Sequence, residues 1–134
     1  MKMSEEMYTE IILDYYKNPK NFGNLDNPEI KFKDLNPSCG DVVEIQVKLE
    51  KNKVHDVKFN GKGCAISLAS AELLTEHLKG KNIDEIKNLN KEEILELLGI
   101  NLSEIRLKCA LLPLKVFKVG LYNYLGEKDE GQNY

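Results

Sequence analysis

The chain has 134 residues, a mass of 15.3 kDa and a formal net charge of −3. This length fits one domain, so we expect a single domain over residues 1–134. Apolar residues make up 42% and charged residues 31%, which excludes wholesale disorder, and the lysines are spread along the chain without forming the basic stripe of a nucleic-acid-binding protein. No apolar stretch approaches the ~20 residues of a membrane helix, and the N-terminus lacks the apolar core of a secretory signal. The composition therefore predicts a cytoplasmic protein that binds neither nucleic acid nor membrane.

The first half of the chain is predicted to form one helix and three strands. Ser4 is a candidate helix cap, and Met7, Ile11 and Tyr15 recur every four residues, which predicts an apolar helix face up to about residue 16. A break at residues 18–23 follows. From residue 29 apolar and polar residues alternate, and the alternation is interrupted at residues 36–37 and 50–53. This period of two predicts three strands in an antiparallel meander.

The second half is predicted to be helical. Helices are expected from about residue 65 to 79, from residue 82, after Asn90 up to Gly99, and over a last segment that follows Ser103 and Glu104 and carries Cys109. Pro113 has no N–H to donate to the carbonyl group of Cys109, so the last helix is expected to begin near Cys109. Strands followed by helices predict an α+β fold, in which helices pack on one face of a three-stranded antiparallel sheet.

The three cysteines, Cys39, Cys64 and Cys109, are the first indication of function. An odd number in a chain without an export signal argues against a disulfide framework and for thiols kept for reactivity or metal binding. Cys39 lies in a predicted turn two residues before Asp41, Cys64 at a strand-to-helix junction, and Cys109 after Lys108 at the expected start of the last helix. A helix N-terminus and a nearby ammonium group both favour the thiolate. Three thiolates and one carboxylate would suit zinc or an iron–sulfur cluster.

The residues alone leave an alternative open. None of the cysteines belongs to a Cys-x-x-Cys pair, and a free cysteine is often a small buried apolar residue, so a plain interaction domain without metal also fits. His55 and His77 are expected to be a solvated strand-end residue and a helix-end residue, not ligands. Ser67 and Ser70 have no histidine–acid partner nearby, so nothing indicates a serine hydrolase.

Four segments together resemble one protein family. The cysteines stand in segments 36–41 (Asn-Pro-Ser-Cys-Gly-Asp), 61–67 (Gly-Lys-Gly-Cys-Ala-Ile-Ser) and 106–109 (Arg-Leu-Lys-Cys), and residues 15–23 read Tyr-Tyr-Lys-Asn-Pro-Lys-Asn-Phe-Gly. These segments, in this order, are similar to those of the IscU/NifU/SufU-type iron–sulfur cluster assembly scaffolds. The resemblance covers about residues 8–124.

The resemblance implies a function and a ligand set. It implies a scaffold, not an enzyme, that accepts sulfur from a cysteine desulfurase, assembles a [2Fe–2S] cluster and passes it to apo-proteins. Cys39, Cys64 and Cys109 would be the thiolate ligands of iron, and Asp41 the carboxylate ligand. A homodimer is a further expectation for the cluster-bound form. The alternative within the same family is a zinc-bound SufU-type sulfurtransferase partner of the desulfurase.

Two departures from the IscU type affect the expected partners and chemistry. Lys108 precedes the third cysteine, where IscU-type members have histidine and SufU-type members have lysine. Residues 102–108 also lack the Leu-Pro-Pro-Val-Lys stretch through which IscU docks a dedicated Hsp70 chaperone, so no such chaperone is expected as a partner. Sulfur delivery needs an exposed cysteine of lowered pKa. Because Lys108 is adjacent to it, Cys109 is the favoured persulfide acceptor, followed by Cys39.

Overall fold

A computed structural model describes residues 5–37 and 39–126. Ser4, the predicted cap of the first helix, lies outside the described residues. The elements in chain order are α1 (Glu5–Lys17), β1 (Ile30–Asn36), β2 (Asp41–Glu50), β3 (Lys53–Lys62), α2 (Ala65–Leu78), α3 (Ile83–Lys87), α4 (Lys91–Leu98) and α5 (Glu104–Leu125). Helices pack against a three-stranded antiparallel sheet, which confirms the predicted fold class.

The strand register brings three chain segments to one end of the sheet. The strand order is β1-β2-β3, with both pairs antiparallel. The last residue of β1, Asn36, pairs with the first residue of β2, Asp41, and Val42 pairs with Lys62 at the end of β3. The β1–β2 turn, the start of β2 and the end of β3 are therefore neighbours, although they are far apart in sequence.

One hydrophobic core lies between the sheet and the two longest helices. Val43, Ile45 and Val47 alternate along β2 and are fully buried, as the period of two predicts. Helices α2 and α5 pack on this sheet and on each other. At Gly120 of α5 the backbone approaches β1 so closely that an added Cβ would lie 3.0 Å from side-chain atoms of Ile30 and Phe32. The core thus fixes the starts of α2 and α5 relative to the sheet.

The buried face of α1 is shifted from the predicted one, which it overlaps at Tyr15, a residue that packs against the core. Met7 is 51% exposed, whereas Ile12, which the four-residue spacing omits, is 3% exposed. Helix α1 packs on α2 and turns the face with Ile12 towards it, and Tyr8 contacts Gly99 after α4. A short helix with apolar residues on several sides has more than one candidate face, and the docking partner selects between them.

Of the two sequence signals for the start of the last helix, Ser103–Glu104 is confirmed, and the late start inferred from Pro113 is wrong. Helix α5 begins at Glu104, capped by Ser103, and Pro113 lies inside it. Pro113 does remove one backbone hydrogen bond, but the neighbouring carbonyl of Ala110 accepts a 2.6 Å hydrogen bond from the hydroxyl of Ser70 on α2. Extensive burial from Cys109 onward stabilises the helix through the proline. None of the helices of the described part of the chain is long and apolar enough to cross a membrane.

Candidate metal centre

Three cysteines and one aspartate meet at the end of the sheet where β1 meets β2. Cys39 lies in the turn between these strands, next to Gly40, whose φ of +74° suits glycine. Asp41 is the first residue of β2, Cys64 is the N-cap of α2, and Cys109 lies in the second turn of α5. Residues separated by up to 70 positions therefore share one site.

Cys39, Asp41 and Cys109 form its tightest part. Their ligand atoms all lie within 4.8 Å of one another. The Sγ atoms of Cys39 and Cys109 are 3.3 Å apart, and the Cys39 thiol donates to Oδ2 of Asp41 over 3.0 Å. Sulfur and carboxylate oxygen are both metal ligands, and three of them at such distances can share one ion.

The two oxygens of Asp41 have different partners. Oδ1 accepts the backbone N–H of Cys64 at 3.0 Å, whereas Oδ2 accepts the thiols of Cys39, at 3.0 Å, and of Cys64, at 3.7 Å. Burial raises the pKa of Asp41, but the hydrogen bonds that it accepts outweigh burial and lower its pKa below the ordinary value. Oδ1 thus holds the start of α2, and Oδ2 faces the sulfurs.

Cys64 is close to this group but turned towards its own helix. Its sulfur accepts the backbone N–H of Ser67 at 3.5 Å, and the Ser67 hydroxyl donates to the Cys64 carbonyl at 3.1 Å. Cys64 is therefore not part of the set whose ligand atoms all lie within 4.8 Å. Rotation of its side chain away from the capping position would be needed for it to join the other ligands.

Gly63 makes the close approach possible. A Cβ at this position would lie 2.4 Å from the Ser67 hydroxyl and 2.8 Å from Oδ1 of Asp41. Such distances are far inside van der Waals contact. The glycine before Cys64 is thus required by the packing of Asp41 and Ser67 around it.

The environments of the cysteines differ from those expected from local sequence. Cys109 is fully buried, and burial together with hydrogen bonds to Cys39 and Asp41 raises its pKa. The sequence predicts the opposite, an exposed and acidified thiol. Cys39 is exposed, and Cys64 is half-buried. Burial of Cys109 itself outweighs the effect of the neighbouring charge on its pKa.

The residue types at the site also predict that the Lys108 ammonium pairs with Asp41 or stabilises the Cys109 thiolate, but Lys108 does not have these contacts. Its side chain is exposed and, within the described part of the chain, makes no hydrogen bond or ion pair with Asp41 or Cys109. Consecutive helical residues point about 100° apart, so adjacency in sequence does not bring Lys108 to the sulfur of Cys109.

Arg106 is an exposed basic residue of α5 that had no expected role at the site. Interactions with the sulfurs of Cys64 and Cys109 raise the pKa of Arg106. The signal was available, because residues three apart on a helix share a face, as Arg106 and Cys109 do. It was missed because the proline argument, which places the helix start near Cys109, was followed when charges were assigned to the cysteines.

The histidines lie elsewhere. His55 is exposed in β3, with Nδ1 at 3.2 Å from a carboxylate oxygen of Glu50. His77, near the end of α2, has Nε2 at 3.7 Å from a carboxylate oxygen of Glu93. The described candidate site therefore offers sulfur and oxygen ligands, and both histidines lie outside it.

The chain matches one known protein family and is similar to several named proteins. Residues 7–130 match the family described as the NifU-like N terminal domain. The chain is 35% identical to the zinc-dependent sulfurtransferase SufU of Bacillus subtilis, covering 96% of this chain and 95% of the relative. It is 31% identical to the iron–sulfur cluster assembly scaffold protein IscU of Escherichia coli K12, covering 91% of this chain and 97% of the relative.

Solved structures share the fold. A crystal structure from Fervidobacterium islandicum AW-1, described as a candidate iron–sulfur cluster assembly scaffold protein for the SUF system, superposes with a TM-score of 0.73 at 32% identity. The match covers 89% of this chain and 99% of that one. The N-terminal part of a NifU-like protein from Brucella abortus has a TM-score of 0.74 at 18% identity, over 92% of this chain and 98% of that one, and shows the fold alone.

Proposed function

Because the chain belongs to the family of NifU-like N-terminal domains, we propose that it is a scaffold for [2Fe–2S] cluster assembly. In this proposal it accepts sulfur from a cysteine desulfurase, holds the growing cluster and passes it to apo iron–sulfur proteins. It acts as a sulfur and iron acceptor in the cytoplasm, without turning over a substrate of its own. Named scaffolds among its relatives, such as IscU of Escherichia coli, support this choice.

The convergence of three thiols and one carboxylate from separate elements carries the proposal. Tetrahedral coordination with metal–sulfur bonds of about 2.3 Å places two sulfurs about 3.8 Å apart. The 3.3 Å between the sulfurs of Cys39 and Cys109 is close to that separation. With Cys64 rotated from its capping position, Cys39, Asp41, Cys64 and Cys109 would supply four ligands.

A scaffold must also release what it holds, and the ligand set suits that need. Thiolates are soft ligands that match iron–sulfur chemistry, whereas a carboxylate is a harder ligand and exchanges more readily. Only Oδ2 of Asp41 faces the sulfurs, since Oδ1 is occupied by the backbone of Cys64. We therefore assign Asp41 as the labile ligand of the cluster.

The exposure of the thiols moves the proposed sulfur acceptor from Cys109 to Cys39. Cys39 is the exposed thiol of the site, whereas Cys109 is fully buried with a raised pKa. In the transfer, the Cys39 thiolate attacks the outer sulfur of the desulfurase persulfide. The sulfur–sulfur bond of the donor breaks, its cysteine leaves as a thiolate, and the outer sulfur ends as a persulfide on Cys39. Neither a reductant nor an oxidant is consumed.

Reconstitution with a desulfurase tests the proposal. The metal-free chain would be incubated anaerobically with ferrous iron, cysteine, a thiol reductant and a catalytic amount of a cysteine desulfurase. We expect visible charge-transfer absorption to develop, and to be lost in Cys39→Ala, Cys64→Ala and Cys109→Ala. Ser103→Ala, which removes only an exposed helix cap, is the control variant. Absorption that never develops, or that persists in all three cysteine variants, would contradict the proposal.

A zinc-bound sulfurtransferase is the second candidate. The relative from Bacillus subtilis is named for zinc and sulfur transfer. Three sulfurs and one oxygen also suit tetrahedral zinc, for which an exchangeable Asp41 would open a coordination position. In that case the chain would take sulfur onto Cys39 while remaining colourless. Zinc that resists replacement by iron during the reconstitution, with persulfide still formed on the chain, would favour this second function.

A further inference from the structure

The sulfur of Cys64 has a partner outside the candidate metal centre. Cys64 is the N-cap of α2, and its Sγ accepts the backbone N–H of Ser67 at 3.5 Å. An N-cap side chain binds a backbone N–H that has no carbonyl partner within the helix. Helices α3, α4 and α5 have asparagine or serine caps, Asn82, Asn90 and Ser103, whereas α2 uses a proposed metal ligand for this purpose.

The capping position keeps this sulfur out of the coordination sphere. The ligand atoms of Cys39, Asp41 and Cys109 lie within 4.8 Å of one another, and the sulfur of Cys64 lies beyond that distance from at least one of them. Two sulfurs on one tetrahedral ion are about 3.8 Å apart. Cys64 therefore cannot cap α2 in this position and complete the metal site at the same time.

The backbone of Cys64 is held on both sides. Its N–H donates to Oδ1 of Asp41 at 3.0 Å, and its carbonyl accepts the Ser67 hydroxyl at 3.1 Å and the Leu68 N–H at 3.2 Å. Ser67 itself is fully buried. Rotation about the Cα–Cβ bond of Cys64 can thus move the sulfur from the cap to the metal while the start of α2 stays in place.

We propose that Ser67 is a positioning residue for the metal centre, and that its backbone N–H competes with the metal for the sulfur of Cys64. The inference rests on the proposed function, because it assumes that Cys64 joins the other ligands. The printed contacts of the Cys39 and Cys109 sulfurs are with each other and with Asp41, so they lie within the site. Cys64 is therefore the last sulfur to bind and the first to leave, and the cap of α2 takes it up on release.

The first test removes the competing N–H. Ser67→Pro has no backbone N–H at this position, and proline is tolerated in the first turn of a helix, where that N–H has no helical partner. Ser67→Ala is the matched control, because it keeps the N–H and, like the proline variant, lacks the hydroxyl. The zinc affinity of the full-length, reduced proteins would be measured by competition with a chelator, with zinc as the only added metal.

Loss of one hydrogen bond corresponds to about a fivefold change in an equilibrium constant. We therefore expect Ser67→Pro to bind zinc about fivefold more tightly than Ser67→Ala. A purely structural role of Ser67 predicts the reverse order, because proline disturbs the turn that carries Cys64 more than alanine does. Zinc affinity in Ser67→Pro equal to or weaker than that in Ser67→Ala would overturn the inference.

The second test uses the wild-type chain and an internal control. Amide hydrogen exchange of Ser67 and Leu68 would be measured by NMR with and without zinc. The Leu68 N–H bonds to the Cys64 carbonyl, which the rotation leaves in place, whereas the Ser67 N–H loses its sulfur partner. Zinc should thus raise the exchange rate of Ser67 relative to that of Leu68 about fivefold. An unchanged ratio would overturn the inference, and this measurement decides if Ser67→Pro does not fold.

The outcomes separate this inference from the proposed function. A wild-type chain that binds no zinc, or a Cys64→Ala variant that binds zinc as tightly as wild type, would overturn the proposed ligand set and this inference together. Zinc binding that depends on Cys64, with an unchanged ratio of the two exchange rates, would overturn the role of Ser67 alone. The ligand set would then stand without competition from the helix cap.

Discussion

Replacing Asp41 with asparagine separates the two roles that its carboxylate has in the structure. Oδ1 accepts the backbone N–H of Cys64 at 3.0 Å, which is a structural bond, and Oδ2 faces the thiols as the proposed labile ligand. Asparagine keeps an oxygen for the Cys64 N–H but puts an amide nitrogen, which is no metal ligand, in place of Oδ2. Alanine removes both.

The magnitudes follow from these bonds. Asp41→Ala leaves the part-buried N–H of Cys64 without its charged acceptor, and we expect it to lower the free energy of unfolding by about 2–3 kcal/mol. Asp41→Asn retains a neutral hydrogen bond there, so its cost should be about 1 kcal/mol. Urea unfolding of the metal-free proteins near pH 7 would measure both. Equal stability losses in the two variants would contradict the structural role of Oδ1.

Cluster release measures the other role. With cluster assembled on each protein, transfer to an apo-ferredoxin would be followed by visible circular dichroism. Because the variants lack the ligand that exchanges most readily, we expect both to hold a cluster and to release it several-fold more slowly than wild type. Asp41→Asn is the decisive variant, since its fold is nearly unperturbed. A release rate in Asp41→Asn equal to or faster than that of wild type would refute the labile-ligand argument.

Three further predictions concern the surroundings of the site. Gly63→Ala should cost about 1–3 kcal/mol of stability in urea unfolding and weaken zinc binding in a chelator competition. The reason is that its Cβ would lie 2.4 Å from the Ser67 hydroxyl and 2.8 Å from Oδ1 of Asp41. Wild-type zinc affinity in this variant would show that these groups can move apart freely. Ser70→Ala should cost about 1–3 kcal/mol of stability in thermal or urea unfolding, because the Ala110 carbonyl loses the 2.6 Å hydrogen bond from the Ser70 hydroxyl. A stability loss smaller than that of the exposed cap variant Ser103→Ala would contradict this. The lowered pKa of Asp41 stabilises the folded state at pH values above the ordinary pKa of 3.8, and this contribution is lost as the pH falls through the pKa of the folded state. Between neutral pH and pH 3 the free energy of unfolding should therefore fall more steeply in wild type than in Asp41→Asn. Parallel curves of unfolding free energy against pH would exclude Asp41 as the source.

The sequence predicted the fold because its local signals agree with one another. Alternating apolar residues mark β2 and β3, and asparagine caps at Asn82 and Asn90 begin α3 and α4 as predicted. The convergence at one end of the sheet also follows from antiparallel pairing, which places the β1–β2 turn beside the end of β3. These features depend on neighbours in sequence or on a single register, so they can be predicted without a structure.

The errors came from tertiary contacts that local signals do not contain. Pro113 suggested a late start for α5, but Ser70, from another helix, binds the adjacent carbonyl group. The charge of Lys108 suggested an acidified Cys109, but packing buries that thiol and raises its pKa. The start signal at Ser103 and Glu104, followed instead of the proline, would have placed Arg106 on the helix three residues before Cys109. The predicted start of α5 therefore determined which charged residue was expected at the site, Lys108 instead of Arg106.

The metal and sulfide content of the chain isolated without oxygen tests the central claim most directly. The protein would be purified anaerobically from cells supplied with iron, and its iron, zinc and acid-labile sulfide would be measured on the same sample, with Cys39→Ala prepared in parallel. A scaffold for [2Fe–2S] assembly predicts equal amounts of iron and sulfide in wild type and neither in the variant. Stoichiometric zinc without sulfide in wild type, unchanged after anaerobic incubation with iron and a cysteine desulfurase, would contradict it.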